Sequence, residues 1–146
     1  MESEVLYSLE SAREVFADTS YFYALLNPRD EHHLRALYIS KQVESRGAAV
    51  YTSWDVFVET VTVLRYRASY DLAKLFIRVA PVIVTILFPL EAERGLAVKV
   101  FLDRSSEREL SLCDAVSYAI VSTRLAWAPC LSFDADFAAL GLTVLR

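Results

Sequence analysis

The sequence predicts an α/β domain built on a mainly parallel central sheet. Short apolar runs rich in β-branched residues alternate along the 146-residue chain with segments whose apolar residues recur at helical spacing. Such alternation is typical of parallel sheets, because each parallel connection needs a crossover, usually a helix. We expect one domain over 1–146, in which 1–13 form an N-terminal extension of uncertain structure.

Five segments are predicted as strands. The densest is VIVTILF at 82–88, which predicts a buried strand, since strands covered on both faces are apolar throughout. In chain order the five are 15–17, 48–51, 82–88, 129–133 and 142–145.

The first helices are predicted from capping residues and periodicity. A helix over 21–26 follows Asp18, and a second over 30–46 ends at Gly47, a residue suited to helix ends. Thr52 and Asp55 then have capping-box spacing. The helix that follows is predicted to carry Trp54, Val58, Val61 and Leu64 or Arg65 on related faces.

The later helices are predicted over 71–79, over 91–102, and over 134–140. Between the last two lies a charged loop at 103–109, followed by a helix that Ser111 caps. The core residues predicted for the Ser111 helix are Leu112, Ala115, Val116, Ala119, Ile120 and Thr123.

Composition limits the functional class. A hydrophobic content of 55% indicates a globular chain, and the longest apolar stretch is too short for a membrane span. The acidic N-terminus has no export signal, so a cytoplasmic location without membrane attachment is expected. A net charge of −4 argues against nucleic-acid binding by charge alone. Cys113 and Cys130 are interpreted as reduced thiols, and His32 and His33 as solvent-facing.

Four acidic residues lie beside apolar segments, where an unpaired carboxylate is costly. Asp18 follows the first strand and Asp134 the fourth, so both should emerge at the carboxyl edge of the sheet, where ligands bind. Glu59 and Asp114, on helices, can point to the same place. Because clustered carboxylates repel each other, the pattern suggests a hard divalent cation such as Mg²⁺ or Mn²⁺.

Each acid also has a structural alternative. Asp18, Asp114 and Asp134 fall at predicted helix N-termini, where a carboxylate caps free amides. Glu59 is harder to explain this way, since it lies within a helix and has no basic residue three or four positions away.

Four segments resemble, in order, the motifs of PIN-domain ribonucleases, most closely the VapC-type toxins of toxin–antitoxin pairs. They are FADTSYFYALLNPRDEHH, TSWDVFVETVTVL, LSLCDAVSYAIV and LSFDADFAALG, and the resemblance covers nearly the whole chain from Val15. It implies a PIN-like three-layer α/β/α fold. The residues that match the family's acidic metal-binding positions are Asp18, Glu59, Asp114 and Asp134.

Three further residues match supporting positions of that family. Ser20 and Ser132 match hydroxyl positions near the site, and Asp136 is an extra or alternative acid. The resemblance implies a Mg²⁺- or Mn²⁺-dependent endoribonuclease that leaves 5′-phosphate and 3′-hydroxyl ends. It also implies a homodimer and a cognate antitoxin protein that blocks the cleft. Residues 71–106 carry no motif that indicates a substrate.

Three alternatives remain open from the sequence. One is a PIN-fold nuclease of RNA processing rather than a toxin. Another is a non-catalytic PIN-fold module, in which a partner helix docks on an apolar surface made by Tyr21, Tyr23, Trp54 and Phe57. The third is an aspartyl phosphatase using the pair Asp134 and Asp136, which is disfavoured because that pair lies near the C-terminus.

Overall fold

The structure, a computed structural model, describes residues 11–104 and 109–146. The predicted N-terminal extension therefore lies largely outside the described residues, as do 105–108 of the predicted charged loop. Residues 11–13 lead directly into the sheet, where the carbonyl of Arg13 accepts a hydrogen bond of 2.9 Å from the amide of Ala49. The single-domain assignment for 1–146 stays a prediction.

Five parallel strands form one sheet in the order β3-β2-β1-β4-β5. The strands are β1 (Glu14–Ala17), β2 (Ala49–Ser53), β3 (Thr85–Leu87), β4 (Cys130–Leu131) and β5 (Val144–Leu145). Chain order and sheet order diverge at β1, which pairs with both β2 and β4. The crevice at this reversal, outside the carboxyl ends of the strands, is where open α/β sheets bind ligands.

Seven helices are assigned among the described residues and flank the sheet, which confirms the predicted three-layer α/β/α class. They are α1 (Thr19–Leu26), α2 (His33–Ser45), α3 (Trp54–Arg67), α4 (Tyr70–Ile83), α5 (Glu91–Arg104), α6 (Leu112–Ser122) and α7 (Ala135–Ala139). The core centres on β1 and β4, where Val15, Phe16 and Leu131 are fully buried.

The prediction of a buried strand over 82–88 is wrong. Helix α4 continues through Pro81 to Ile83, and only Thr85–Leu87 is extended. Val82 is 83% exposed and β3 lies at the edge of the sheet. The dense β-branched run is therefore partly the end of a helix and partly an edge strand. The prediction failed because apolar composition alone does not distinguish these from a central strand.

The predicted capping box of Thr52 and Asp55 is also wrong, by one residue. Ser53 caps α3 and accepts a hydrogen bond of 3.0 Å from the amide of Val56. The buried hydroxyl of Thr52 instead donates to the carbonyl of Ala17, 2.8 Å away, which ties β2 to the end of β1. The cap therefore starts α3 beside the position where Asp18 follows β1.

Several apolar residues singled out by helical spacing lie outside the core. On α3, Trp54 and Val58 are 44% and 45% exposed, because the buried face is formed by Val56, Phe57, Thr60 and Leu64. Leu112 at the start of α6 is also exposed. On the predicted apolar docking surface, Tyr21 and Phe57 belong to the core instead.

Helix α2 begins three residues later than predicted. The side chain of Asp30 accepts a hydrogen bond of 2.8 Å from the amide of His32, and its carbonyl accepts one of 3.1 Å from the amide of His33. This local turn uses the amides that would otherwise start the helix at Asp30. The end of α2 is as predicted, since Gly47 has a φ of +66°.

An ion pair joins α5 to the end of α6. Glu93 is buried and accepts hydrogen bonds from the guanidinium of Arg124, including one of 3.1 Å from Nε, and from the amide of Leu90. Arg124 also donates to the carbonyl of Phe88 at 2.8 Å. Burial opposes the charged form of Glu93, but the bonds from Arg124 and Leu90 hold its pKa below the ordinary value of 4.5.

Removal of this pair is expected to destabilise the fold. Arg124→Ala leaves a buried carboxylate without its cation and should lower the free energy of unfolding by about 3 kcal/mol. Because the folded pKa of Glu93 is lowered, the pair stabilises the wild type above pH 4.5, and that contribution disappears as the pH falls through the folded pKa. Urea unfolding of wild type and Arg124→Ala at pH 7 and pH 3 measures the stability loss and its pH dependence. An equal loss of unfolding free energy at the two pH values would mean that the Glu93–Arg124 pair is not its cause.

No helix within residues 11–104 and 109–146 is long and apolar enough to cross a bilayer. Cys113 and Cys130 are free thiols, as predicted.

Candidate active site

The predicted acids come from four separate elements and line one cleft. Asp18 follows β1, Glu59 lies within α3, Asp114 is in the first turn of α6, and Asp134 follows β4. The cleft has a volume of about 440 Å³ and opens at the carboxyl edge of the sheet, where β1 and β4 are neighbours. The parallel topology therefore brings together residues that are up to 116 positions apart.

Two serines hold Asp18. The hydroxyls of Ser20 and Ser132 donate to the same carboxylate oxygen at 3.1 and 2.9 Å. Asp18 occupies the N-cap position of α1, but its side chain makes no capping hydrogen bond. The helix-cap alternative is therefore wrong for Asp18, whose buried carboxylate is oriented across the sheet edge instead.

The same serines join the turns that follow β1 and β4. The hydroxyl of Ser20 accepts from the amide of Phe133 at 2.9 Å, and that of Ser132 accepts from the amide of Asp134 at 3.1 Å. The two hydroxyls are themselves 3.1 Å apart. The two serine hydroxyls and the amides of Phe133 and Asp134 thus fix Asp18 relative to the backbone of Asp134.

Asp114 and Asp134 are both helix caps and cleft residues. Asp114 forms a capping box with Ser111, accepting from its amide at 3.2 Å while its own amide donates to the serine hydroxyl at 3.0 Å. Asp134 caps α7 by accepting from the amide of Asp136 at 2.9 Å. For these two acids the structural and functional interpretations are compatible, since one carboxylate has several acceptor positions.

Glu59 has no basic partner within the described part of the structure. Its carboxylate contacts the thiol of Cys113 on α6. The neighbouring Thr60 is fully buried and donates to the hydroxyl of Thr19 at 3.2 Å, which fixes α3 against α1. Glu59 is therefore aimed into the cleft by a packed helix rather than by an ion pair.

Burial and mutual repulsion disfavour ionisation of the cluster. Burial raises the pKa of Asp18 to about 6, with the charge of Glu59 adding to the shift. Burial, together with the charges of Asp18 and Asp134, also raises the pKa of Asp114 to about 6, against the hydrogen bonds from Ser111. The pKa of Glu59 is raised by burial and by Asp114 and Asp134. Such coupling indicates closely spaced carboxylates.

No protein-family model matches the chain. A relative, the 23S rRNA-specific endonuclease VapC20 of Mycobacterium tuberculosis, is 30% identical over 132 residues, which cover 90% of this chain and 98% of the relative. The protein of that name from a second strain of the species matches equally. The chain belongs to the VapC family.

A solved VapC structure agrees with this assignment. The crystal structure of M. tuberculosis VapC20, described as a sarcin–ricin loop cleaving toxin, aligns with a TM-score of 0.77 at 30% identity. The alignment covers 90% of this chain and 98% of that chain. The predicted PIN-like fold, the VapC-type family and an endoribonuclease of the toxin type are therefore confirmed.

The donor set of this VapC cleft suits a hard divalent cation, because all four acids offer carboxylate oxygens. Within residues 11–104 and 109–146, however, no group of three or more His, Cys, Asp or Glu side chains is arranged to hold an ion as they stand. Asp18, Asp114 and Asp134 are engaged in their own hydrogen bonds. Metal binding would therefore require these side chains to reorient, and a bound cation would offset the repulsion among them.

The VapC cleft also contains residues that the sequence analysis did not assign to a site. His32 was predicted to face solvent, and its side chain is indeed 44% exposed, but it also forms part of the cleft wall. His33 is half-buried, with Nδ1 2.7 Å from the carbonyl of Ala24. Asp136 does not line the cleft. The remaining unassigned lining residues are Thr19, Tyr23, Asp30, Val63, Arg67, Glu109, Ser111 and Phe133. The sequence signal that could have indicated His32 is DEHH at 30–33, the charged end of the first family-like segment.

Proposed function

We propose that this VapC protein hydrolyses RNA phosphodiester bonds at a divalent cation held by Asp18, Glu59, Asp114 and Asp134. The observation that carries the proposal is the convergence of these acids, from four elements, on one cleft at the carboxyl edge of the sheet. An anionic substrate would be repelled by such a cleft alone, so a cation is needed to bring the phosphate there.

Mg²⁺ or Mn²⁺ fits the oxygen donors, and when bound it would neutralise phosphate charge and lower the pKa of a water molecule. Ser20 and Ser132 act through Asp18, because their hydroxyls fix the direction of its carboxylate. The amide of Asp136 donates to the Asp134 side chain and would support it. We also propose Asp136 as a further acid of the site, although its side chain does not line the cleft.

Substrate binding requires positive charge somewhere near the acids. Among the described cleft-lining residues, Arg67 is the only Arg or Lys, and it also lines an adjoining polar cavity together with Arg29. Both exposed guanidiniums can contact RNA phosphates on the way to the acids. We infer 23S rRNA as the first substrate to test, since that is the substrate named for the M. tuberculosis relative.

We propose two protein partners, a cognate antitoxin and a second copy of the chain in a homodimer. We propose no association with a membrane. Support for the antitoxin comes from an apolar groove that shares Glu59 and Ser111 with the acidic cleft and has Trp54 and Val58 in its wall. A basic side chain on a helix seated there would reach the acids. An enzyme acting on ribosomal RNA would work in the cytoplasm.

Cleavage assays with purified protein, intact ribosomes and a mixed RNA pool test the function. We expect wild-type cleavage with Mg²⁺ or Mn²⁺, none with EDTA, and 5′-phosphate ends on the fragments. Cleavage that persists in EDTA would reject the metal. Absence of cleavage of every RNA by a folded protein that binds Mn²⁺ would favour the non-catalytic alternative. Cleavage confined to precursor ends would favour RNA processing over a toxin.

A further inference from the structure

Two rings form a flat stack in the wall of the acidic cleft. The imidazole of His32 lies parallel to the ring of Phe133, with 4.5 Å between centroids and an interplanar angle of 1°. Both residues line the cleft. The His32 side chain is 44% exposed, and Glu31 approaches only its Nε2 edge, at 3.3 Å. One imidazole face therefore covers Phe133, and the exposed part of the His32 side chain faces a ligand in the cleft.

The backbone around both rings is held by hydrogen bonds. The amide of His32 donates to the side chain of Asp30, and the neighbouring His33 is fixed through its ring to α1. The amide of Phe133 donates to Ser20, the serine that also bonds Asp18. The stack is thus tied to the turn that carries a proposed metal ligand, so its position relative to the acids is set before RNA arrives.

A ring stack suits RNA binding beside an acidic cleft. Electrostatic attraction is weak there, because acids dominate the lining. Stacking of a base on an aromatic face does not depend on net charge and tolerates any base. Unpaired bases in RNA loops are commonly held this way.

We propose that the His32–Phe133 stack is the platform on which an unpaired nucleobase near the scissile phosphate is positioned. The inference rests on the proposed ribonuclease function and deepens it. His32 is here a substrate-binding residue and not a proton donor, so a Tyr in its place should serve.

The test uses a mixed-sequence single-stranded RNA that carries the fluorescent base 2-aminopurine at successive positions. Binding to the full chain with Asp114→Asn, which keeps the RNA intact, should quench one position by stacking. Adding His32→Ala should abolish that quenching and weaken RNA binding about tenfold, whereas adding His32→Tyr should preserve both, as should the control Tyr66→Ala, which removes an exposed ring outside the cleft lining. In the otherwise wild-type chain, His32→Ala should raise KM for cleavage about tenfold and change kcat little.

Two outcomes would overturn the platform. One is unchanged quenching and KM in His32→Ala; the other is no quenching at any position. Thermal melting of His32→Ala checks that any loss of quenching is not caused by unfolding, and recovery in His32→Tyr provides a second check. Failure of the ribonuclease function would look different: wild type would cleave no RNA, while position-specific quenching that His32→Ala removes would still support a base-binding platform.

Discussion

Asp18→Asn is expected to reduce metal-dependent RNA cleavage by about 10³-fold, equivalent to about 4 kcal/mol of activation free energy. The amide still accepts hydrogen bonds from Ser20 and Ser132, so the turn after β1 should keep its shape. The loss therefore reflects the missing negative charge rather than misfolding. Single-turnover cleavage of ribosomal RNA with Mn²⁺ measures the effect.

The matched control is Asp71→Asn, which changes an exposed acid at the start of α4, paired only with Lys74. That variant should cleave at the wild-type rate. If Asp18→Asn also cleaved at the wild-type rate, the assignment of Asp18 to the metal site would be wrong.

Asp114→Asn is expected to stabilise the metal-free protein at pH 8. The folded pKa of Asp114 is about 6 against an ordinary value of 3.8, a difference worth about 3 kcal/mol. Between these values the folded state binds more protons than the unfolded state, so the wild type loses stability as the pH rises from about 4 to 6. The variant lacks this loss and should melt at least about 5 °C higher at pH 8.

The difference should vanish below pH 4, where the wild-type carboxyl is protonated in both states. Calorimetric melts in EDTA at pH 8 and pH 3.5 make the comparison, with Asp71→Asn again as the surface control. A lower melting temperature for Asp114→Asn at pH 8 would mean that the capping box with Ser111 outweighs the repulsion among the acids.

The parallel class and the acid cleft were predictable because both depend on where strands end in the sequence. Asp18 and Asp134 each follow a predicted parallel strand, so their placement at one edge of the sheet was predictable, whereas the pairing of β1 with β4 was not. The error at 82–88 has a different cause. Val82 and Ile83 have strong β-propensity, but α4 passes through Pro81 and keeps them helical at an exposed edge. Propensity does not reveal which strand of a sheet is central.

Side-chain partners were less predictable than backbone position. The serines beside Asp18 were assigned to the site from resemblance, and the shared acceptor oxygen became visible only in three dimensions. The position of His32 in the cleft wall was missed because two adjacent histidines in a polar segment are typical of a solvated helix start. Its stacking on Phe133 joins residues 101 positions apart, which no local pattern indicates.

Mn²⁺ binding measured by electron paramagnetic resonance at pH 7.5 detects the proposed metal site itself, because it does not require the right RNA. We expect wild type and Asp71→Asn to bind Mn²⁺ with the same affinity, and Asp18→Asn and Asp114→Asn each to bind Mn²⁺ at least about tenfold more weakly. Equal Mn²⁺ affinity in all four proteins, or no binding by a wild type that cleaves RNA, would contradict the proposed metal site.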